Sequence, residues 1–327
     1  MPIKISRRTA LLATTALLAA PLPGWAQNYP ERPIKLVIGY TPGGAGDAIA
    51  RLMAQKYGEA LGQPATVENR PGASATLAAA AVAKAAPDGY TLLINTGPDS
   101  TIGPLTMPNL PYSVQKDFAP ISLLTIVPSV LIVPSNSPFH QVGDVIKAAR
   151  EKPGKLNYAS FGNGSSAHMS AELFKSLTGT FITHIPFKGS APAMTELLAG
   201  RIEILFDTFA SALPQIQAGK VRALAVTSAT RVPLAPNIPT MQEAGVPGFV
   251  SQAFIGVTAP AQTPPAIIER LHKETARIMA MPDVVDRIVK LGMVPSPTTS
   301  QEYVAFLQRE TERNRKLIKD AKLQFDN

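Results

Sequence analysis

The sequence predicts an α/β protein of two domains with mostly parallel sheets flanked by helices, and three observations lead there. At 327 residues the chain is too long for one ordinary core. Hydrophobic residues make up 45% and charged ones 17%, with 31 prolines spread along the chain, the balance of a folded protein with many short loops. Short β-branched runs also alternate with segments at helical spacing, the order that builds parallel sheets.

Taken from the start, residues 1–26 differ from the rest. Lys4, Arg7 and Arg8 precede the apolar run "ALLATTALLAA", and "PLPGWA" ends in small residues before Gln27. This reads as a cleavable export signal, by the Sec or the twin-arginine route, because the apolar run is too short to span a bilayer. Its removal takes three charges from the net +8 and leaves +5, a mild excess that suits an anionic small ligand. With no run of Lys/Arg interleaved with aromatics, nucleic acid is set aside. With zero cysteines, disulfides, thiolate metal sites and a lipidated Cys are excluded. A soluble protein in a bacterial periplasm is expected.

"IKLVIGY" is a strand ending at a glycine turn, and "DAIARLMAQKYGEALG" a helix stopped by Gly62. "PATVENRPGASATLAAAAVAKAAPDGYTLLINTGP" repeats strand, turn, Ala-rich helix and buried strand. "ISLLTIVPSVLIVPSNSP" is a long β-like passage that crosses from one domain to the other. A second α/β unit follows: helix "QVGDVIKAAREK", strand "LNYAS", turn and helix "FGNGSSAHMSAELFKSLTG", strand "FITHIPF", turn "KGSAP", helix "AMTELLAG" and strand "IEILFDTFAS". "VRALAVTSA" and "FIGVTAP" are apolar runs, and the proline-rich loop between them returns the chain to the first domain. The C-terminus is helical, with prolines at helix starts and Ser300 opening the last helix. The expected division is a signal peptide over 1–26, a first domain over 27–127 and 249–327, and a second over 128–248.

Three turns, "TPGGAGD", "SFGNGSS" and "KGSAP", share one plan in which a strand ends, small residues follow and a helix begins. Small residues let backbone N–H groups approach a ligand, and the helix start adds a positive dipole end, so each suits phosphate or carboxylate. "GGAGDA" completes neither G-x-G-x-x-G nor a P-loop, so no nucleotide cofactor is expected. Asp47 reads equally as a helix cap and as a ligand acceptor. Ser165 and His168, with Asp207 as a third member, invite a hydrolase triad, but no nucleophile elbow is present. His140, His168, His184 and His272 have no metal-ligand spacing, and no metal is expected.

The blocks "YPERPIKLVIGYTPGGAGDAIARLM", "GQPATVENRPGA", "AKAAPDGYTLL", "LNYASFGNGSSAHMSAELFKSLTG", "HIPFKGSAPAMTELLAGRIEILFDT" and "GVPGF" occur in this order. They resemble the Bug-type (TctC-like) periplasmic binding proteins of tripartite tricarboxylate transporters, from Tyr29 essentially to the end. The resemblance implies a two-domain periplasmic-binding-protein fold, the type II-like Venus flytrap. Such a clamp closes over a small carboxylate (a di- or tricarboxylate, an amino acid or an aromatic acid) and presents it to a permease of one large and one small membrane subunit. It implies no catalysis and a monomer. Carried over by position, Tyr40, Thr41, Gly43, Gly44 and Asp47 form one jaw, with Asn95 and Thr96. Ser160, Phe161, Gly162, Asn163, Gly164, Ser165, Ser166 and His168 form the other, with Lys188, Gly189, Ser190 and Asp207. The family commonly has G-A-G-G-N-I-G after "ENRP", whereas this chain has "GASATLA", Gly72 to Ala78, and Gly39 stands where Pro is common. Side chains are expected to intrude there. Two other readings remain: a receptor that signals to a sensor kinase, and an exported hydrolase using Ser165 and His168.

Overall fold

The computed structural model describes residues 29–187, 189–321 and 323. The expected signal segment and Lys188 lie outside the described residues. No helix among the described residues is long and apolar enough to cross a membrane.

The first strands are β1 (Ile34–Ile38), β2 (Ala65–Asn69) and β3 (Thr91–Thr96). They pair in parallel, with Leu36 opposite Val67 on one side and Leu92 on the other. Helix α1 (Ala45–Leu61) connects β1 to β2 and ends where Gly62 takes the left-handed conformation, φ 72°, a C-cap geometry glycine adopts without a Cβ penalty. Helix α2 (Thr76–Ala83) leads to β3.

Strand β4 (Phe118–Pro134) is fully apolar over long stretches because both its faces are covered. From Phe118 to Pro128 it pairs antiparallel with β9 (Gln252–Pro260), and from Ser129 onward with β7 (Ile204–Thr208) and β8 (Val221–Val226). The change of partner falls at Pro128, which has no N–H to donate to a ladder. Thr227 anchors the far side of the change: Ser129 N–H donates to Thr227 Oγ1 at 3.0 Å, and Thr227 N–H donates to Ser129 O at 2.8 Å.

Beyond the crossing the first theme repeats. β5 (Asn157–Ser160) pairs in parallel with β6 (Thr183–Pro186) and β7, giving the order β2-β1-β3-β9-β4-β7-β5-β6, with β8 and β10 (Val294–Pro295) also on β4. Helices α3 (Val142–Glu151), α4 (Ser166–Thr178), α5 (Ser190–Leu198) and α6 (Phe209–Gln217) flank these strands. The proline-rich segment between β8 and β9 holds turns and one isolated bridge, Val226 with Thr240. The C-terminal helices are α7 (Pro265–Met279), α8 (Pro282–Lys290) and α9 (Ser300–Asp320). Thr299 caps α9 in a capping box with Glu302.

The buried side chains divide at the same crossing. One set of clusters joins β1, α1, β3, the first part of β4, β9 and the C-terminal helices; the other lies between Val130 and Phe249.

Pairing directions decide where the strand ends point. Thr96, the last residue of β3, lies level with Ile255 and through it with Thr125 of β4. Thr208, the last residue of β7, lies level with Ser129. Because β3 runs with β4 and β7 runs against it, the carboxyl ends of both parallel sets face each other across the four-residue step from Thr125 to Ser129. That step corresponds to about 13 Å of extended strand.

Within β9, Gly256 gives room for Tyr303 of α9, whose Oη donates to Asn95 Oδ1 at 3.0 Å. A Cβ on Gly256 would stand 1.9 Å from that Oη. Gly256→Ala should therefore lower unfolding free energy by about 3 kcal/mol, through overpacking and loss of a buried hydrogen bond, measured by urea denaturation.

Candidate functional site

The turn after β1 is held by one carboxylate. Asp47 Oδ2 accepts from Gly43 N–H at 3.0 Å and Arg51 Nε at 2.9 Å, and Oδ1 accepts from Asn69 Nδ2 at 2.9 Å. Asn69 Nδ2 also reaches Tyr40 O at 2.9 Å, so β2 clamps the turn of β1. Burial pushes the Asp47 carboxyl up, but the donors Arg51, Gly43 and Asn69 together outweigh it and hold the group below the usual carboxylate range. Asp47 thus fixes the turn and leaves Thr41, Gly43 and Gly44 exposed. Helix α1 has no side-chain cap at Gly44, and its ladder begins with Ala48 N–H on Gly44 O. The N–H groups of Gly44, Ala45 and Gly46 have no partner among the described residues, as the start of a helix dictates.

The turn after β2 carries side chains where the resemblance implies glycines. Ala73, Ser74 and Ala75 all have positive φ, 43°, 53° and 72°, a conformation that costs non-glycine residues roughly 1–2 kcal/mol each. Gly39 explains how Ala75 fits: a Cβ on Gly39 would lie 2.2 Å from Ala75 Cβ. The two departures are complementary, since the methyl at 75 fills the space that a side chain at 39 would need. Ser74 is exposed, so a side chain does stand at this edge, as expected.

The turn after β3 is built on Asp99, which sequence reasoning missed. Its carboxylate accepts from Thr96 N–H at 2.9 Å, Thr96 Oγ1 at 3.1 Å and Ser100 Oγ at 2.6 Å, within a π-helical turn, Pro98–Ile102. Burial pushes Asp99 up to about 7 despite these donors. Asn95 is buried and spends its amide on Ser100 Oγ (2.9 Å) and Tyr303. Thr96 Oγ1 also meets Tyr40 Oη at 3.3 Å.

Across the crossing, the turn after β5 rests on a column of rings. His184 of β6 stacks between Tyr158 of β5, at 4.8 Å, and His168 of α4, at 4.3 Å between centroids. His184 Nε2 and Ser160 Oγ are 2.5 Å apart, and Ser160 Oγ also accepts from Gly162 N–H at 3.1 Å. Gly164 N–H donates to His168 Nδ1 at 3.0 Å, which leaves the proton of the neutral ring on Nε2, 3.9 Å from Glu172 Oε1. Glu172 in turn accepts from Tyr158 Oη at 2.5 Å and Lys175 Nζ at 2.6 Å. Ser165 caps α4, its Oγ accepting from His168 N–H at 3.3 Å. Asn163 is exposed, Ser166 is half-buried, and Phe161 packs on the core beneath.

In the turn after β6, Gly189 (φ 127°) precedes α5 with no side-chain cap. Ser190 Oγ donates to Asp207 at 2.9 Å and meets Ser211 Oγ at 2.7 Å, while Thr208 N–H donates to Asp207 Oδ1 at 2.7 Å. Burial raises Asp207 to about 6, partly offset by Ser190, Ser211 and Thr208.

Those of the predicted residues that are described therefore collect at two strand edges that face each other, with Asp99, Ser100, His184 and Ser211 added. A faint signal existed for Asp99, an acid three residues beyond a buried strand before Ser-Thr. None existed for His184, whose role depends on β6 lying beside β5.

The ionisable groups of these turns act in opposite senses. Burial holds His168 and His184 below the ordinary 6.5, His184 at about 3. The unfolded chain binds those protons first, so their contribution to stability is present above 6.5 and is lost as pH falls toward 3. The raised Asp99 and Asp207 instead favour the fold as pH drops from 7 and 6 toward 3.8. Replacing His184→Asn removes one acid-labile group. The stability gap between variant and wild type should narrow from pH 7 to pH 4.5, by at most about 1.4 kcal/mol per pH unit, in urea titrations.

Comparison with known proteins agrees with this geometry. The model of the tripartite tricarboxylate transporter family receptor, TctC, matches residues 49–323. A UPF0065 protein from the tcbD-tcbE intergenic region of Pseudomonas sp. (strain P51) is 41% identical over 297 residues, 90% of this chain and 88% of that protein. Among solved structures, R. palustris Rpa4515 with adipate is 35% identical with a TM-score of 0.86, covering 91% of this chain and 100% of that one. MatC (Rpa3494) from Rhodopseudomonas palustris with bound malate is 32% identical with a TM-score of 0.81, covering 89% and 100%. The chain belongs to the tripartite tricarboxylate transporter family receptors, periplasmic solute receptors of two-domain α/β fold.

Proposed function

We propose that this receptor closes over a small carboxylate held between the facing strand edges and hands it to the permease of a tripartite tricarboxylate transporter. The observation that carries the reading is the opposition of the two carboxyl-terminal edges across Thr125 to Ser129 of β4. Ligands of open α/β sheets sit outside such ends. Residues 29–127 and 249–321 make one jaw and 128–248 the other, in keeping with the division of the buried clusters. The donors are the N–H groups of Gly44, Ala45 and Gly46 on one side and those of the α4 and α5 starts on the other, with Lys188 beside Gly189. They suit an anion, because helix N-termini combine unpartnered N–H groups with a positive dipole end. Asp47, Asp99 and Asp207 hold the turns in shape. The bound malate and adipate of the two relatives support the carboxylate class.

The geometry gives the hydrolase reading no support. Ser165 Oγ is an acceptor for a helix N–H, His168 Nδ1 is taken by Gly164, and Asp207 is engaged by Ser190 and Thr208. Ser160 and His184 form a second Ser–His pair, but Ser160 is fully buried and a ring held at about 3 is a poor base near neutrality.

Mature protein screened by thermal shift against succinate, malate, adipate and citrate should be stabilised by at least one of them, by about 2.7 kcal/mol at 100 times its Kd. Gly44 has extended backbone, φ −85°, and nothing within 4 Å of an added Cβ. Gly44→Val should accordingly fold normally and bind that ligand at least about tenfold more weakly, as one or two hydrogen bonds are lost. A flat response to the whole panel sinks the carboxylate reading, and an unchanged affinity removes the first turn from the site.

A further inference from the structure

We infer that Tyr40 presents its hydroxyl to the bound molecule as an acceptor only, so the receptor prefers carboxylates that carry a hydroxyl or amino donor over their plain counterparts. The inference rests on the carboxylate reading above and adds the chemistry of the rest of the ligand.

The argument follows one chain of hydrogen atoms. A carboxylate has no proton to give, so in the contact between Asp99 Oδ2 and Thr96 Oγ1, at 3.1 Å, the threonine hydroxyl donates. Having spent its only proton, Thr96 Oγ1 can take part in the 3.3 Å contact with Tyr40 Oη solely as acceptor. Tyr40 therefore donates inward, and the lone pairs left on its oxygen are what remains for a ligand. Among the described residues no group donates to Tyr40 Oη.

Burial increases inward along this chain. Asp99 is 1% and Thr96 7% exposed, while Tyr40 is half-buried at the carboxyl edge of β1. Tyr40 is also pinned at its backbone, where Asn69 Nδ2 donates to its carbonyl at 2.9 Å. A ligand carboxylate placed against this oxygen meets lone pair with lone pair; a hydroxyl or ammonium meets an acceptor.

The orientation depends on Asp99 being ionised. The ionisable side chains around Asp99 are Tyr40 from the β1 turn, Tyr112 from the segment before β4 and Tyr303 from α9, and burial raises all three so that they stay neutral. The donors Thr96 N–H, Thr96 Oγ1 and Ser100 Oγ favour its charged form, against burial that pushes it up to about 7. At pH 8.5 the chain is oriented as described. At pH 5.5 a protonated Asp99 releases Thr96 to donate toward Tyr40, and the preference fades.

The test is isothermal calorimetry at pH 8.5 on mature wild type, Tyr40→Phe and Thr96→Val, with matched pairs: succinate and malate, glutarate and 2-hydroxyglutarate, adipate and 2-hydroxyadipate, with aspartate as the amino probe. In the pair that binds tightest, wild type should favour the donor-bearing member by about tenfold, the value of one well-made hydrogen bond. Tyr40→Phe should bring that ratio within about twofold, by weakening the donor-bearing member more than the plain acid. Thr96→Val, which frees the tyrosine proton, should also abolish the preference and at the same time strengthen binding of the plain acid. Melting curves confirm that each variant is folded. Equal wild-type affinity for both members of the pair, or an equal loss for both in Tyr40→Phe, overturns the inference while leaving the carboxylate reading intact. Failure of every acid to bind wild type overturns that reading and this inference together.

Discussion

The structure depends on one strand changing its partners. Up to Pro128, β4 belongs to the ladder with β9, and from Ser129 it belongs to the ladder with β7 and β8. A strand has a direction, so two parallel sets attached to its two halves with opposite senses must aim their carboxyl ends at one another. The proline at the change has no N–H to give to either ladder, and Thr227 supplies hydrogen bonds to Ser129 just beyond it. Everything assembled at the strand ends is brought face to face by that single constraint. In the proposed function, the crossing is where the jaws would pivot.

Three acids give the strand ends their shape. Asp47, Asp99 and Asp207 are nearly or fully buried, and each accepts from backbone N–H and side-chain donors of its own turn. Negative charge so close to the proposed anion site is tolerable because each carboxylate is engaged by several donors. Asp47 is further balanced by Arg51, whereas Asp99 and Asp207 have no basic partner among the described residues and are raised by burial. The result is a rim of outward backbone donors on a stiff frame, the kind of preorganisation that spares a ligand the cost of ordering loops.

Much of this was legible in the sequence. Runs such as "IKLVIGY" and "LNYAS" lead into glycine turns because small residues allow the sharp approach of strand to helix, and Gly62 closed α1 as a helix stop. The long apolar passage around Val127 was readable as a crossing. The site was readable through its turns, yet the roles of individual residues were not. Asp47 looked equally like a cap and a ligand contact until Asn69, on the next strand, was seen to share it. Asp99 sits in a π-helical turn, which has no sequence period of its own. The His184 column depends on β5 and β6 lying side by side, and the complement between Gly39 and Ala75 on two turns meeting. Local pattern reports a residue's own conformation; these roles are set by neighbours distant in sequence.

The central claim is that the opposed strand edges shut on a carboxylate. The most direct measurement is small-angle X-ray scattering of the mature protein with and without a saturating acid whose binding calorimetry has established. The account predicts a smaller radius of gyration and a shortened maximum dimension in the liganded sample, as rotation about the β4 crossing brings the jaws together. Superimposable curves at full occupancy would contradict it.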